Sequence, residues 1–185
     1  MNTETMRTEE MLRACMKKIE GDFGTMFTEE ERENTPKRIL KVFEEFKKNQ
    51  EFEFTVFDNT DGYENMVILK VERFYSLCSH HLLPFFGEAY IGYIPKEKIC
   101  GISKLERMVK KHASKPQIQE RLTKQIYEDL KEKLETEDII VILKATHLCM
   151  EMRGTKATKP VMTTSAVGGA FWNAETRQEF LELIK

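Results

Sequence analysis

From Glu4 to Glu20 the apolar residues Met11, Leu12, Cys15, Met16 and Ile19 recur at helical spacing, and Gly21 stops the pattern as glycine tends to at a helix end. Asn34-Thr35-Pro36 then predicts a second helix, a capping residue followed by proline in the first turn. It runs through Ile39, Leu40, Val42, Phe43 and Phe46. Phe52 to Asn65 reads as loop with a short extended piece. The period changes at Met66: MVILKVERFYSL is β-branched and alternates, which predicts a strand. Pro84 interrupts, and FFGEAYIGYI predicts a second strand that ends at Pro95.

Two helical segments follow, a short one from Ser103 to Lys111 and a long one from Pro116 to Leu134. In the long one Ile118, Leu122, Ile126, Leu130 and Leu134 stand four apart on one stripe. EDIIVILKATHLCMEMRG returns to extended structure, as one long strand or two joined by a bend, and a last helical stretch runs from Ala174 to Ile184. Helices, two strands, two helices, two strands predict an α+β fold with a mostly antiparallel sheet and helices on one face. The division expected is an N-terminal helical region, 1–65, and a sheet-bearing region, 66–185, in one compact whole.

Composition narrows the function more by exclusion than by indication. With 185 residues, 41% hydrophobic and 32% charged, the chain has the makeup of a soluble globular domain with its own core. A net charge of −2 gives no global attraction to nucleic acid or to an anionic membrane, so an anionic ligand must be held by a local cluster. No apolar run approaches the ~20 residues of a membrane span. The polar, acidic start MNTETMRTEEML argues against a secretory signal, and a cytoplasmic location is expected. In that compartment Cys15, Cys78, Cys100 and Cys149 are free thiols or metal ligands rather than bridges.

Metal-competent groups concentrate in Cys78-Ser79-His80-His81, where a thiolate and an imidazole three apart can turn onto one cation, and sulfur with nitrogen suits zinc. Taken alone, such a spacing also arises by chance. His147-Leu148-Cys149 is a second cluster. On a strand, His147, Cys149, Glu151 and Arg153 would share one face. The competing reading of Cys149 is a small buried hydrophobe. Joined, Cys78, His81 and Cys149 would give three protein ligands and one open position, the arrangement of a catalytic rather than a closed structural zinc site. Cations also recur at helical spacing, Arg38 with Lys41 and Ser103-Lys104 with Arg107, and Arg153 closes the second cluster. Each read singly is a solvated surface charge, as Glu120 beside Gln119 is an ordinary helical carboxylate.

Several blocks together resemble the GTP cyclohydrolase I family: TPKRILK from Thr35, FYSLCSHHLLPFFG from Phe74, YIGYIP from Tyr90, GISKLERMV from Gly101, QERLTKQI from Gln119, ATHLCMEMRG from Ala145, then TTSAVGGAF and TRQEFL. They run in family order over nearly everything from Thr35 to Leu183. The resemblance implies the tunnelling fold, a four-stranded antiparallel sheet backed by two helices, with N-terminal helices. It also implies a homo-oligomer, usually a decamer of two stacked rings with active sites between subunits. The implied reaction is GTP plus water to formate and 7,8-dihydroneopterin triphosphate, feeding pterin, folate or 7-deazaguanine synthesis. The implied zinc ligands are Cys78, His81 and Cys149, and the acid–base histidines are His80 and His147. Glu120 would bind the guanine edge with Gln119 beside it, and Ser103, Lys104, Arg107, Arg153, Arg38 and Lys41 would contact the triphosphate. Ser79 departs from the pattern, standing where the family usually has Glu, and Thr155 replaces a common Val. The alternatives are another tunnelling-fold enzyme, a nitrile reductase of the queuosine pathway or a pyruvoyl-type pterin synthase, and a non-catalytic zinc module, which would need a fourth protein ligand.

Overall fold

The computed structural model describes residues 3–185, which form two compact units, one ending at Lys48 and the other Asn49–Lys185. The first is a pair of helices, α1 (Thr3–Phe23) and α2 (Glu29–Gln50). Helix α1 runs past Gly21 and stops at Gly24, whose φ of +93° and N–H bond to the Glu20 carbonyl at 2.9 Å close the end. Helix α2 opens earlier than Asn34-Thr35-Pro36 predicts, because Thr28 and Glu31 make a reciprocal cap. The Glu31 carboxylate accepts from Thr28 N at 2.7 Å, and the Thr28 hydroxyl accepts from Glu31 N at 3.3 Å. Pro36 therefore sits inside the helix, where it cannot donate to the carbonyl of Arg32. That carbonyl instead accepts from Arg13 Nη1 of α1 at 3.5 Å. Arg13 also pairs with Glu33, and Arg32 with Glu20 at 2.8 Å, so charge fixes the register of the two helices.

The second unit holds the sheet. Its long strands are β2 (Val67–Cys78), β3 (Pro84–Tyr93), β6 (Ile139–His147) and β7 (Met162–Val167), antiparallel in the order β2-β3-β6-β7. A two-residue strand, β5 (Pro116–Gln117), adds a parallel fifth member beside Leu77 and Cys78. A small separate ribbon pairs β1 (Val56–Asp58) with β4 (Lys98–Cys100). Helices α3 (Ile102–Ala113) and α4 (Gln119–Leu134) cover one face. Leu122, Ile126, Leu130 and Leu134 are fully buried there, as their four-residue stripe predicts. They pack with Leu105, Met108 and Val109 of α3 on Phe74, Phe85, Ile91, Val141 and Leu143. Each such side chain contributes ~1.5–3 kcal/mol of burial.

Helices do not keep to one face, however. Phe171 of a 3-10 turn (Gly169–Trp172) and Phe180 of the last helix (Ala174–Leu183) pack on Tyr90, Ile140 and Ile142 from the other side. With cover on both faces, Ile139 to Leu143 are buried without alternation. The second correction concerns the end of β6. The extended reading through Cys149 fails because β3 begins at Pro84 and its last pairing is Phe85 with His147. Without a partner strand the chain coils into one helical turn, α5 (Leu148–Glu151), closed by Met152 N on the Leu148 carbonyl at 3.0 Å.

Candidate metal centre

Cys78 ends β2 and is 5% exposed, with its N–H on the Leu83 carbonyl at 2.8 Å. A tight turn follows: the Cys78 carbonyl accepts from His81 N at 3.3 Å and Leu82 N at 2.8 Å, and Leu82 takes the left-handed φ of +54°. Ser79 contributes through its backbone, its N–H bonding the Gln117 carbonyl of β5 at 2.9 Å. The turn brings His81 Nδ1 to 3.6 Å from Cys78 Sγ. Helical turn α5 supplies the third group, and the donor atoms of Cys78, His81 and Cys149 all lie within 4.8 Å of one another. Among the described residues these three form the one such cluster.

The donor set fits zinc. A tetrahedral ion with sulfur at ~2.3 Å and nitrogen at ~2.0–2.1 Å requires these atoms about 3.5 Å apart. Burial, and the Cys78 thiol beside it, push the Cys149 thiol up. A bound divalent cation reverses that preference by stabilising both thiolates.

Two further histidines border the cluster. His80 is exposed, its ring edge-on to that of His81 at 6.2 Å and its Nδ1 3.9 Å from Cys78 Sγ. His147, the last residue of β6, is half-buried and stacks face to face on Phe85, with centroids 4.5 Å apart and planes 2° from parallel. Its Nε2 lies 2.8 Å from Gln119 Oε1. Burial lowers the His147 imidazole below its ordinary range, while the charge of Glu120 pulls the other way. His147, Cys149, Glu151 and Arg153 do not share a strand face, because only the first belongs to β6. Arg153 is exposed, yet its charge still reaches the Cys149 thiol.

The remaining expected residues are spread more widely. Glu120 is exposed in the first turn of α4, whereas Gln119 is 1% exposed with its amide engaged inside the protein. Ser103 and Arg107 lie exposed on α3, and Lys104 is half-buried with its ammonium on the Glu53 carbonyl at 3.0 Å. In the first unit Lys41 is exposed and Arg38 pairs with Glu30 at 2.7 Å. Sequence reasoning missed Phe85, which sets the plane of His147, and the threonine pair Thr123 and Thr164, 2.6 Å apart beneath Gln119. The signal for Phe85 was its place beside Pro84 on a strand directly after the Cys-His turn.

An α+β unit with three converging sulfur and nitrogen donors offers a metal three protein ligands, one fewer than a closed structural zinc site uses. The sequence model of a known family, described as GTP cyclohydrolase I, matches residues 8–185. The chain is similar to the GTP cyclohydrolase 1 of a Sulfurihydrogenibium species, 46% identical over 152 residues that cover 82% of this chain and 81% of the relative. It is 45% identical to the Hydrogenobaculum protein of that name over 90% of this chain and 92% of the other. The Parabacteroides distasonis protein of the same name is 39% identical over 100% and 97%. The chain therefore belongs to the GTP cyclohydrolase I family. Among solved structures, the archaeosine synthase QueF-Like in the apo form overlaps 57% of this chain and 95% of its own, at TM-score 0.45 and 21% identity. No described helix is long and apolar enough to cross a membrane.

Proposed function

We propose that this chain hydrolyses GTP to formate and 7,8-dihydroneopterin triphosphate, with zinc held by Cys78, His81 and Cys149. The observation that carries the reading is the convergence of those three donors within 4.8 Å, from two separate segments, beside His80 and His147. Zinc bound there supplies a Lewis acid that makes water a nucleophile at neutral pH. The chain's own residues do the rest. His80, exposed next to a ligand, protonates N7 of the purine while C8 is attacked, a general-acid role. His147, held on Phe85, accepts and returns protons as the ring opens and the formyl group leaves as formate. The exposed Glu120 carboxylate accepts from N1–H and the 2-amino group of guanine and disfavours adenine, which lacks that donor pair. Ser103, Lys104, Arg107 and Arg153 hold the triphosphate, whose charge needs several cations.

The finer fold is the tunnelling fold, and the active form is a ring-shaped homo-oligomer, a decamer of two pentamers, working in the cytoplasm. Two features support assembly. The sheet ends in strand edges, β7 on one side and most of β2 on the other, that have no partner strand among the described residues. In the first unit Met11, Phe23, Val42 and Phe43 are exposed. The test is to incubate zinc-loaded protein with GTP and follow formate and the fluorescence of the oxidised pterin. Protein that binds one zinc per chain and leaves GTP intact would refute the reading.

A further inference from the structure

The hydrogen bonds around Gln119 fix the orientation of its amide, and they end on His147. Three acceptors surround Gln119 Nε2: the Leu143 carbonyl at 3.1 Å, the Met162 carbonyl at 3.0 Å and Thr164 Oγ1 at 3.1 Å. Two of these are backbone carbonyls, which accept and never donate, so the amide has one orientation: its NH₂ faces β6 and β7. Reversing it would press Oε1 against two carbonyl oxygens in a buried place.

The hydroxyls agree. Thr123 Oγ1 donates to the Gln119 carbonyl at 2.8 Å and so spends its single hydrogen. In the 2.6 Å contact between Thr123 and Thr164 the donor is then Thr164, which leaves Thr164 Oγ1 free to accept from Gln119 Nε2. With two hydrogens on Nε2 for three acceptors, one hydrogen is shared, and only this orientation of the amide turns hydrogens toward both carbonyls. Gln119 Oε1 is thereby fixed as an acceptor, and the atom 2.8 Å from it, His147 Nε2, must carry a hydrogen.

The structure assigns Gln119 as the positioning residue of His147: its buried amide holds the imidazole in the Nε2–H tautomer, so that proton exchange at His147 runs through Nδ1. In the neutral ring Nδ1 is the one nitrogen with a lone pair. When it gains a proton the Nε2–H bond to Gln119 is unchanged, so the ring keeps its place on Phe85 through the whole cycle. Gln119 thus acts through His147 rather than on the substrate. The catalytic consequence rests on the cyclohydrolase reading, but the tautomer does not.

The experiment is solid-state NMR on zinc-loaded protein labelled with ¹⁵N and ¹³C in histidine, without substrate, at about pH 8, where unperturbed imidazoles are neutral. The His147 signals are those missing from His147→Ala. The expected result is a pyrrole-type Nε2 and a pyridine-type Nδ1, and the reverse pair would overturn the assignment. Thr164→Ala removes one acceptor and leaves both carbonyls, so it should keep the tautomer; a switch there would overturn the claim that the carbonyls set it. Gln119→Leu should give mixed tautomers, lower kcat by ~10²-fold or more, and leave the Kd for GTP within about twofold. A weakened Kd with kcat unchanged would make Gln119 a substrate contact and overturn the proposal. The wild-type spectrum needs no variant, so a Gln119→Leu protein that fails to fold leaves the test standing. Wild-type protein with the expected tautomer and no GTP turnover refutes the function and not the tautomer; turnover with hydrogen on Nδ1 refutes the tautomer alone.

Discussion

Gly87→Ala tests how the sheet holds the site. Gly87 lies in the middle of the sheet, paired with Phe74 of β2 on one side and Ala145 of β6 on the other. A Cβ there would stand 1.8 Å from the Lys144 carbonyl oxygen and 2.6 Å from the Ala145 Cα, where real contacts stay above 3.0 Å. Both obstacles are backbone, so relief requires β3 and β6 to part. Overpacking of this kind costs ~1–3 kcal/mol. Opening two ladder hydrogen bonds adds ~1 kcal/mol each. The total is about 3–5 kcal/mol, or a melting temperature roughly 10 °C lower for a chain of this size. Phe85 and His147 pair only two positions along the same ladder, so the His147–Gln119 bond should stretch and turnover per folded molecule should fall as well. Calorimetry at fixed zinc and protein concentration measures the first effect and kcat the second. Gly92→Ala is the internal comparison: its Cβ meets the buried Phe180 ring at 2.7 Å, a side chain rather than backbone, so the strain falls on core packing and leaves the ladder closed. A Gly87→Ala shift no larger than that of Gly92→Ala would refute the reasoning.

Three other outcomes are expected. His81→Ala and Cys149→Ser should lose the metal, whereas His80→Ala and His147→Ala should keep it and slow by ~10²–10⁴-fold, with ring-opened formamide accumulating; zinc content and product analysis of the four variants decide it. His112 donates from Nε2 to Asp129 at 2.9 Å, its Nδ1 is buried without a partner, and burial, opposed by Asp129 and reinforced by Lys115 and Lys111, holds its pKa below the usual imidazole range. The unfolded chain therefore binds the extra proton first, so stability is full above about pH 6.5 and falls as pH drops below it, and His112→Phe should flatten melting temperature against pH between about 7 and 5. Gly21→Ala adds a methyl with nothing within 4 Å in the last turn of α1, so it should stabilise that helix by up to ~1 kcal/mol, seen as slower amide exchange there.

What the sequence reveals depends on whether a segment's own pattern decides its structure. The α4 stripe was legible because one apolar row facing one sheet is all that the helix needs. The start of α2 was not. Two caps compete in that stretch, and Thr28–Glu31 wins because Arg13 of α1 satisfies the carbonyl that Pro36 leaves bare. Strand β7 escaped notice because Thr164, which points inward, serves a polar cluster rather than an apolar core and sits beside the exposed Thr163, so the sequence shows no apolar–polar alternation. The turn at Leu148 is decided by where β3 begins, a fact about another segment altogether.

The site divides along the same line. Cys78 and His81 are close in sequence and readable from spacing, since the turn that joins them is local. Gln119 and Glu120 are adjacent, both polar and both at the start of α4, and no local rule separates them. A helix turns about 100° per residue, so one step carries the chain from the sheet side to solvent. Gln119 lands on β6 and β7 with its amide locked, and Glu120 stays exposed in the first turn. Which of two neighbouring residues stays open to solvent and which bonds the histidine is therefore a property of the rotation of α4 on the sheet. That rotation is fixed by Leu122, Ile126, Leu130 and Leu134, apolar residues without chemistry of their own that decide how the polar ones are used.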